Sequence, residues 1–401
     1  MQERIFVTGA GLLSALGTNK EEALTALRAQ RSGIAPLVYL HTSHKGLPVG
    51  EVKRTNREMM RMLGLPETEI TTRTSLMGML AVREALEQAG LSETNGLRIA
   101  LISGTTVGGM DMSEQYYLDF LENDTRNAYI ATHDCGACTE MIADHSGLFS
   151  LVDTISTACS SAANAILLGA LLLRSGRADI VVAGGSECIT KFHLNGFRTL
   201  MILDGEPCKP FDADRAGLNL GEGAAYVVLE SEDSARRRNV APLCGLSGWG
   251  NACDAFHQTA SSPEGEGAFL SMTKALDSAG LSPEAISYIN AHGTGTENND
   301  LSEGLAIQRV FGENIPPVSS TKSFTGHTTS AAGGVEAVIS VLALQHNFIP
   351  VNLHFSSPMK ELSFVPATVD RPVRPLQHIL SNSFGFGGND TSLIFSKTES
   401  V

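Results

Sequence analysis

One thiol, two imidazoles and one amine in this chain could do chemistry together. Cys159 stands in Asp153-Thr-Ile-Ser-Thr-Ala-Cys-Ser-Ser-Ala-Ala-Asn-Ala-Ile, where an apolar strand ends and a run of small and aliphatic residues predicts a buried helix. A thiol at a helix N-terminus meets unpaired backbone N–H groups and the positive end of the helix dipole. Both favour the thiolate and mark Cys159 as a candidate nucleophile. The same pattern also suits a small residue packed at a strand–helix turn. His292 lies in Asn290-Ala-His-Gly-Thr-Gly-Thr, a strand end entering a glycine-containing loop. Lys322 and His327 lie in Thr321-Lys-Ser-Phe-Thr-Gly-His, just before a predicted helix. An imidazole N–H donates well to a developing oxyanion, and neutral imidazole is also a base. A cysteine with two such donors can hold a thioester and stabilise an enolate, the needs of a Claisen-type condensation. A fourth segment, Ser381-Asn-Ser-Phe-Gly-Phe-Gly-Gly-Asn-Asp, is dense in glycine. Such a run lets backbone approach a ligand and supplies N–H donors, and Phe384 and Phe386 beside it could form a hinged apolar gate. It also suits a tight turn between two strands.

The elements that must position these groups alternate between strand and helix. Strands are expected over 4–8, 97–103, 179–184, 224–229, 243–249, 287–291 and 379–383. Helices are expected over 21–30, 160–175, 267–279, 300–311 and 333–345. This alternation predicts α/β layering. The charged stretch Glu230-Ser-Glu-Asp-Ser-Ala-Arg-Arg-Arg-Asn marks the expected joint between two halves, 1–240 and 241–401. The halves look alike. Residues 152–172 run from strand through a Ser/Thr-rich turn into a helix of small residues, and residues 318–344 do the same. Duplication would put the Cys159 turn and the Lys322–His327 turn at corresponding sheet ends. Val7-Thr-Gly-Ala-Gly resembles the opening of a dinucleotide fingerprint, but Ser14 occupies the third glycine position. Gly9 and Gly11 are therefore read as turn glycines that close the first strand.

The chain has 401 residues, with 42% hydrophobic, 18% charged and a formal net charge of −14, which predicts a globular protein and disfavours a nucleic-acid partner. No secretory signal is read at the start, and the most apolar helix, near 162–173, is too short to cross a bilayer. Seven cysteines make a disulfide framework improbable and point to a reducing cytoplasm. Cys135-Gly-Ala-Cys138 is a lone pair of cysteines, so no metal is expected.

Thr-Ala-Cys159-Ser-Ser, Ala-His292-Gly-Thr-Gly-Thr, Thr-Lys322-Ser-Phe-Thr-Gly-His327 and Asn-Ser-Phe-Gly-Phe386-Gly-Gly-Asn together resemble the β-ketoacyl-acyl carrier protein synthases, most closely the elongating type II kind. Pro210-Phe-Asp-Ala-Asp-Arg-Ala-Gly-Leu-Asn-Leu-Gly-Glu-Gly-Ala also fits, and the resemblance runs nearly end to end. It implies a thiolase-like five-layered αβαβα fold built from two duplicated halves, and a homodimer, with a heterodimer with a paralogue as the alternative. It implies that Cys159 takes the acyl chain, while His292 and His327 bind the malonyl thioester carbonyl as carbon dioxide leaves. Lys322 would act on the His327 side, and Glu336 would be a buried organising carboxylate. Backbone N–H groups of Cys159 and Phe386 would form the oxyanion hole, with Phe386 as gate. Phe384, Thr294, Thr296, Met110 and Met112 are the candidate substrate-binding residues. No cofactor is implied, since phosphopantetheine arrives on the carrier protein.

The implied partner, acyl carrier protein, is acidic, so docking requires clustered cations. Lys53, Arg54, Arg57 and Arg61 form one cluster, and Arg73, Arg126 and Arg198 are further candidates. Two features depart from the usual pattern. Glu297-Asn-Asn-Asp300 replaces the common Pro and Gly before Asp, which alters loop shape and carrier contacts. Lys191-Phe-His-Leu-Asn-Gly-Phe-Arg-Thr-Leu-Met-Ile-Leu resembles branches tied to aryl polyene or other specialised lipid pathways. A thiolase would need a second catalytic cysteine in the C-terminal region, and the last one here is Cys253. A non-catalytic chain-length partner subunit would usually lack the nucleophile.

Overall fold

Ten strands join into one sheet in the computed structural model, which describes residues 4–398. They are β1 (Ile5–Ser14), β2 (Ile99–Gly104), β3 (Leu151–Ile155), β4 (Ile180–Glu187), β5 (Gly223–Ser231), β6 (Cys244–Cys253), β7 (Tyr288–Asn290), β8 (Val318–Ser319), β9 (His378–Gly385) and β10 (Asn389–Ser396). Their order across the sheet is β8-β7-β9-β10-β6-β1-β5-β4-β2-β3. A separate small ribbon pairs Ala35–Pro36 with Pro48–Val49.

The duplication is visible in this order. In the first half, β1-β5-β4 are antiparallel neighbours and β4-β2-β3 are parallel. In the second half, β6-β10-β9 are antiparallel and β9-β7-β8 are parallel. The half-sheets meet where Ile5–Val7 of β1 pairs with Leu246–Cys244 of β6. Helix Arg73–Gln88 covers β1 and β5 on one outer face, and helix Glu266–Ala279 covers β6 and β10 on the other. Helices Ser161–Arg174 and Ala332–His346 pack on each other and touch strands of both half-sheets. The result is the five-layered thiolase-like arrangement.

Composition explains the central layer. Every residue from Ala332 to Leu344 is buried, as suits a helix with small and apolar residues on all sides; Glu336 and Ser340 are its polar exceptions. The two central helices cross closely because the contacts are small: a Cβ on Gly333 would lie 2.7 Å from Ala163 Cβ. The first strand differs from expectation. It does not end at Thr8 but runs through Gly9 and Gly11 to Ser14. These glycines are not turn residues. A Cβ on Gly11 would strike the Ala81 carbonyl oxygen at 1.9 Å, so their absent side chains let helix Arg73–Gln88 lie against the strand. The charged stretch after Glu230 forms helix Glu232–Arg238, capped by Ser231 and ended by Asn239 at φ 54°.

The chemistry-bearing loops leave the carboxyl ends of β3, β7, β8 and β9. Ligands in α/β sheets collect at such ends. β3 and β8 occupy equivalent places in the two halves and each feeds a central helix. The turn with Cys159 and the turn with Lys322 and His327 are therefore structural counterparts.

Candidate active site

Cys159 sits on a tight turn between β3 and helix Ser161–Arg174. Ala158 is held at φ 51°, a left-handed conformation that costs a residue with a Cβ of order 1–2 kcal/mol. Hydrogen bonds pin the turn: Ser161 Oγ donates to the Ala158 carbonyl at 2.6 Å, and Thr157 N donates to Ser161 Oγ at 2.9 Å. The backbone N–H of Phe386 donates to the Cys159 sulfur. The expected thiolate does not dominate the resting site. Burial pushes the thiol up to about 12, with the Lys322 charge and the Phe386 N–H pulling the other way. Loss of water from around the sulfur outweighs the groups that favour its negative charge.

Lys322 is the organising cation. Its Nζ touches His292 Nδ1 at 3.2 Å, the His292 carbonyl at 2.5 Å and the Glu336 carboxylate. An ammonium has three protons and no acceptor, so Nδ1 of His292 must accept and Nε2 must carry the ring proton. The Lys322 amine thus contacts His292, not the expected His327 side, because the loop after β7 brings the His292 backbone over it. Both Lys322 and Glu336 are buried, and Glu336 also accepts from Ser383 Oγ at 3.2 Å. Burial raises the Glu336 carboxyl, and the adjacent ammonium opposes that.

The rings of His292 and His327 lie 5.2 Å apart at 86°. Both are pushed well below the ordinary imidazole range, first by burial and then by the Lys322 charge. Each is therefore neutral near neutral pH. His327 is fixed by its backbone, donating to the Asn219 carbonyl at 2.7 Å and accepting from Gly221 N at 2.8 Å. Its Nδ1 is buried and has no hydrogen-bond partner among the described residues.

Cys159, His292, His327, Thr294, Thr296, Phe384 and Phe386 all line one cavity of about 440 Å³. Phe384 packs 5.8 Å from His292, ring to ring. Phe386 stacks on Phe197 at 5.8 Å and 20°. Gly387 and Gly388 follow it at φ 82° and 77°, the left-handed region that favours glycine. Met110 and Met112 open helix Met110–Glu122 and do not line this cavity; Met110 packs on the outer core of the first half.

Glu303 was not visible as a site residue. Its carboxylate accepts from the backbone N–H groups of His292 (2.9 Å) and Gly293 (2.8 Å) and from Asn382 Nδ2 (3.0 Å), so it shapes the His292 loop. Burial pushes it up to about 7. Its spacing of three from the equally buried Asp300 on helix Glu297–Phe311 was the available signal.

The cationic candidates divide. Arg73 is largely buried, its side chain 11% exposed, and bonds Glu222 at 2.6 Å, the Val52 carbonyl at 3.0 Å and Asn56 Oδ1 at 2.9 Å, so its guanidinium is committed to the fold rather than to a carrier. A guanidinium this fully paired is part of the scaffold. Arg57 is exposed and pairs with Glu67 at 3.2 Å. Arg61 is exposed. Arg126 lies over the Tyr116 and Tyr129 rings. Lys53 and Arg54 face a different surface hollow, beside Arg31. Arg198 is exposed, bonds His44 Nδ1 at 2.7 Å, and sits beside Phe197 and Leu200 of the cavity wall. Among the described residues no cluster of metal-ligating side chains occurs.

Family models match this chain in two parts: beta-ketoacyl synthase, N-terminal domain, over residues 2–235, and beta-ketoacyl synthase, C-terminal domain, over 243–356. The chain belongs to the beta-ketoacyl synthase family, whose members are acyltransferases. It is 34% identical to a 3-oxoacyl-[acyl-carrier-protein] synthase 2 of Coxiella burnetii, covering 99% of both chains. It is 35% identical to nodulation protein E of Rhizobium meliloti, over 99% of this chain and 100% of the other. Among solved structures, the ishigamide ketosynthase/chain length factor superposes with a TM-score of 0.91 at 30% identity, covering 100% of both chains.

Two outcomes test the electrostatics. Lys322→Ala leaves Glu336 buried without its partner and should lower unfolding free energy by about 3–5 kcal/mol in denaturant titration. The paired Lys322→Met/Glu336→Met change should restore most of that stability but not activity. Iodoacetamide modification of Cys159 in the resting protein should rise about tenfold per pH unit between about pH 7 and 9, followed by peptide mass, because the thiolate fraction grows by that factor below the pKa. A plateau already reached at neutral pH would mean that the nearby positive groups outweigh burial.

Proposed function

We propose that this chain is an elongating 3-oxoacyl-[acyl-carrier-protein] synthase, joining an acyl-Cys159 thioester to malonyl-acyl carrier protein with loss of carbon dioxide. The observation that carries this reading is the shared cavity. It presents a thiol, a His292 Nε2–H whose tautomer Lys322 fixes, and a second neutral imidazole. In the first step the Cys159 sulfur attacks the acyl-carrier thioester carbon. The carrier sulfur leaves and ends as a thiol, its proton coming from Cys159 by way of a neutral imidazole. In the second step the malonyl C–CO₂ bond breaks, and its electron pair forms an enolate whose oxygen accepts from His292 and His327. The enolate carbon then attacks the acyl-Cys159 carbon, and the Cys159 sulfur leaves as a thiolate that takes one proton from solvent. N–H groups of Cys159 and Phe386 hold the tetrahedral oxyanion, preorganised donors in a dry site being the strongest such aid. The phosphopantetheine arm reaches the cavity on its carrier, and no resident cofactor enters the scheme. The product is an extended fatty acyl, polyene or polyketide chain. A chain-length partner subunit would have no use for this cysteine.

Carrier docking fits the face around Arg198. Lys191 and Arg198 are exposed there, and Leu200 and Met201 line the cavity mouth. A homodimer fits the far edge of the first half-sheet. β3 ends the sheet there with Val152 exposed, and helix Met110–Glu122 buries none of its residues and exposes Tyr117, Leu118 and Leu121. An open strand edge beside an apolar helix face is the kind of surface that proteins cover. A cytoplasmic setting fits the seven unpaired cysteines, and no described helix is long and apolar enough to cross a membrane.

Incubation with acyl-carrier and malonyl-carrier thioesters should add the acyl mass to the Cys159 peptide and give a product longer by one malonyl-derived unit. His292→Ala and His327→Ala should each cut condensation by about 10²–10³ or more. Cys159→Gln should abolish acyl transfer while malonyl decarboxylation persists. Condensation retained in that variant would end the covalent scheme. Sedimentation of the full chain should give a dimer, and Leu118→Glu should weaken it; a monomer at micromolar concentration would remove the proposed interface.

A further inference from the structure

One carboxyl group near the cavity has no donor. Asp390, the second residue of β10, is only 6% exposed, and its side chain makes no hydrogen bond among the described residues. Its surroundings are acidic. A Cβ on Gly267 would lie 2.1 Å from Asp390 Oδ2 and 2.8 Å from Asp254 Cβ, so both side chains meet over the first turn of helix Glu266–Ala279. Asp254, just past β6, and Glu303, on helix Glu297–Phe311, are the charged groups that act on Asp390, and no cation among the described residues does.

The two neighbours have donors of their own. Asp254 accepts from Ser262 N at 2.6 Å, Ser262 Oγ at 2.6 Å and Gly267 N at 3.0 Å. Glu303 accepts from His292 N, Gly293 N and Asn382 Nδ2. A carboxylate out of water needs such donors to stay ionised, so of the three Asp390 is the one that keeps a proton. Burial first, then the charges of Asp254 and Glu303, push it up to about 8.

Asp254 is also where two parts of the cavity wall are joined. Its backbone N–H donates to the Gly388 carbonyl at 2.8 Å, and Gly387 N donates to the Gln258 carbonyl at 2.8 Å. Its carboxylate closes the segment 254–262 by holding Ser262. Thr259, Ala260 and Ser261 of that segment line the catalytic cavity, as do Gly387 and Gly388. A second anion at Asp390 would repel the carboxylate that ties these pieces together.

We propose that Asp390 is a positioning residue kept as a neutral carboxylic acid, and that its neutrality lets Asp254 hold segment 254–262 against Gly387 and Gly388 at the cavity wall. The test compares the wild-type protein with Asp390→Asn, which keeps the shape and a donor but never ionises. An acid held above its ordinary range by the fold costs stability as pH rises, because the unfolded chain releases the proton first. The ratio of the wild-type unfolding constant to that of Asp390→Asn, from denaturant titration, should therefore grow about tenfold per pH unit between about pH 5 and 7 and level off above about 8. A ratio independent of pH, or one that falls, overturns the inference. Hydrogen-exchange protection of the amides in 254–262 should drop in the wild-type protein between about pH 7 and 9 and stay constant in Asp390→Asn. Protection that stays constant in the wild-type protein overturns the positioning role. Should the asparagine variant not fold, the wild-type protection profile still decides. Neither readout needs a substrate, so failure here is distinguishable from failure of the proposed condensation, which is read on the Cys159 peptide.

Discussion

The buried Lys322 ammonium is the constraint on which the catalytic geometry depends. A charge without water must be satisfied by what surrounds it, and here the acceptors are a carboxylate, a carbonyl and one imidazole nitrogen. Meeting that demand sets the rest. Glu336 must project from the central helix at this level, the loop after β7 must fold back over the amine, and the ring of His292 must turn Nδ1 inward. The outward nitrogen then has no choice of protonation. A structural requirement, neutralising a cation, becomes a chemical property, a donor of fixed tautomer at the cavity wall.

Burial works on the other groups with the same sign of cost and different results. It holds the two imidazoles neutral, keeps the resting sulfur as a thiol, and lifts Glu303 to about 7. A site that stabilises a carbanion gains from this. Protonated imidazoles would attract the malonyl carboxylate they need to release, whereas neutral ones offer a hydrogen bond where charge develops. The fold supplies this burial through its central layer, where two helices of mostly small and apolar residues meet at Gly333 and Ala163 and bring the strand ends of both halves to one place.

Much of this architecture was legible in the chain. The strand–turn–helix patterns around Cys159 and Lys322 were recognisable as counterparts because apolar periodicity and small residues are local properties. The α/β layering followed from the same alternation. Element ends moved by a few residues, as β1 shows: its glycines look like terminators in one dimension and are contact points for helix Arg73–Gln88 in three. Arg73 looked like one cation among several on a face. Only the fold reveals Glu222 and the backbone carbonyls that consume it.

The amino-acid sequence alone determined which side chains are reactive, the order in which they occur, and the layered class of fold that carries them. Side-chain chemistry and local hydrophobic period are both written in short stretches of chain. Only the tertiary structure decided that Lys322 serves His292, that Glu303 shapes the loop beside it, that the resting sulfur keeps its proton, and that Met110 and Met112 lie off the cavity. Each of these turns on desolvation and on distances between residues far apart in the chain, and both come into being only when the layers close on one another.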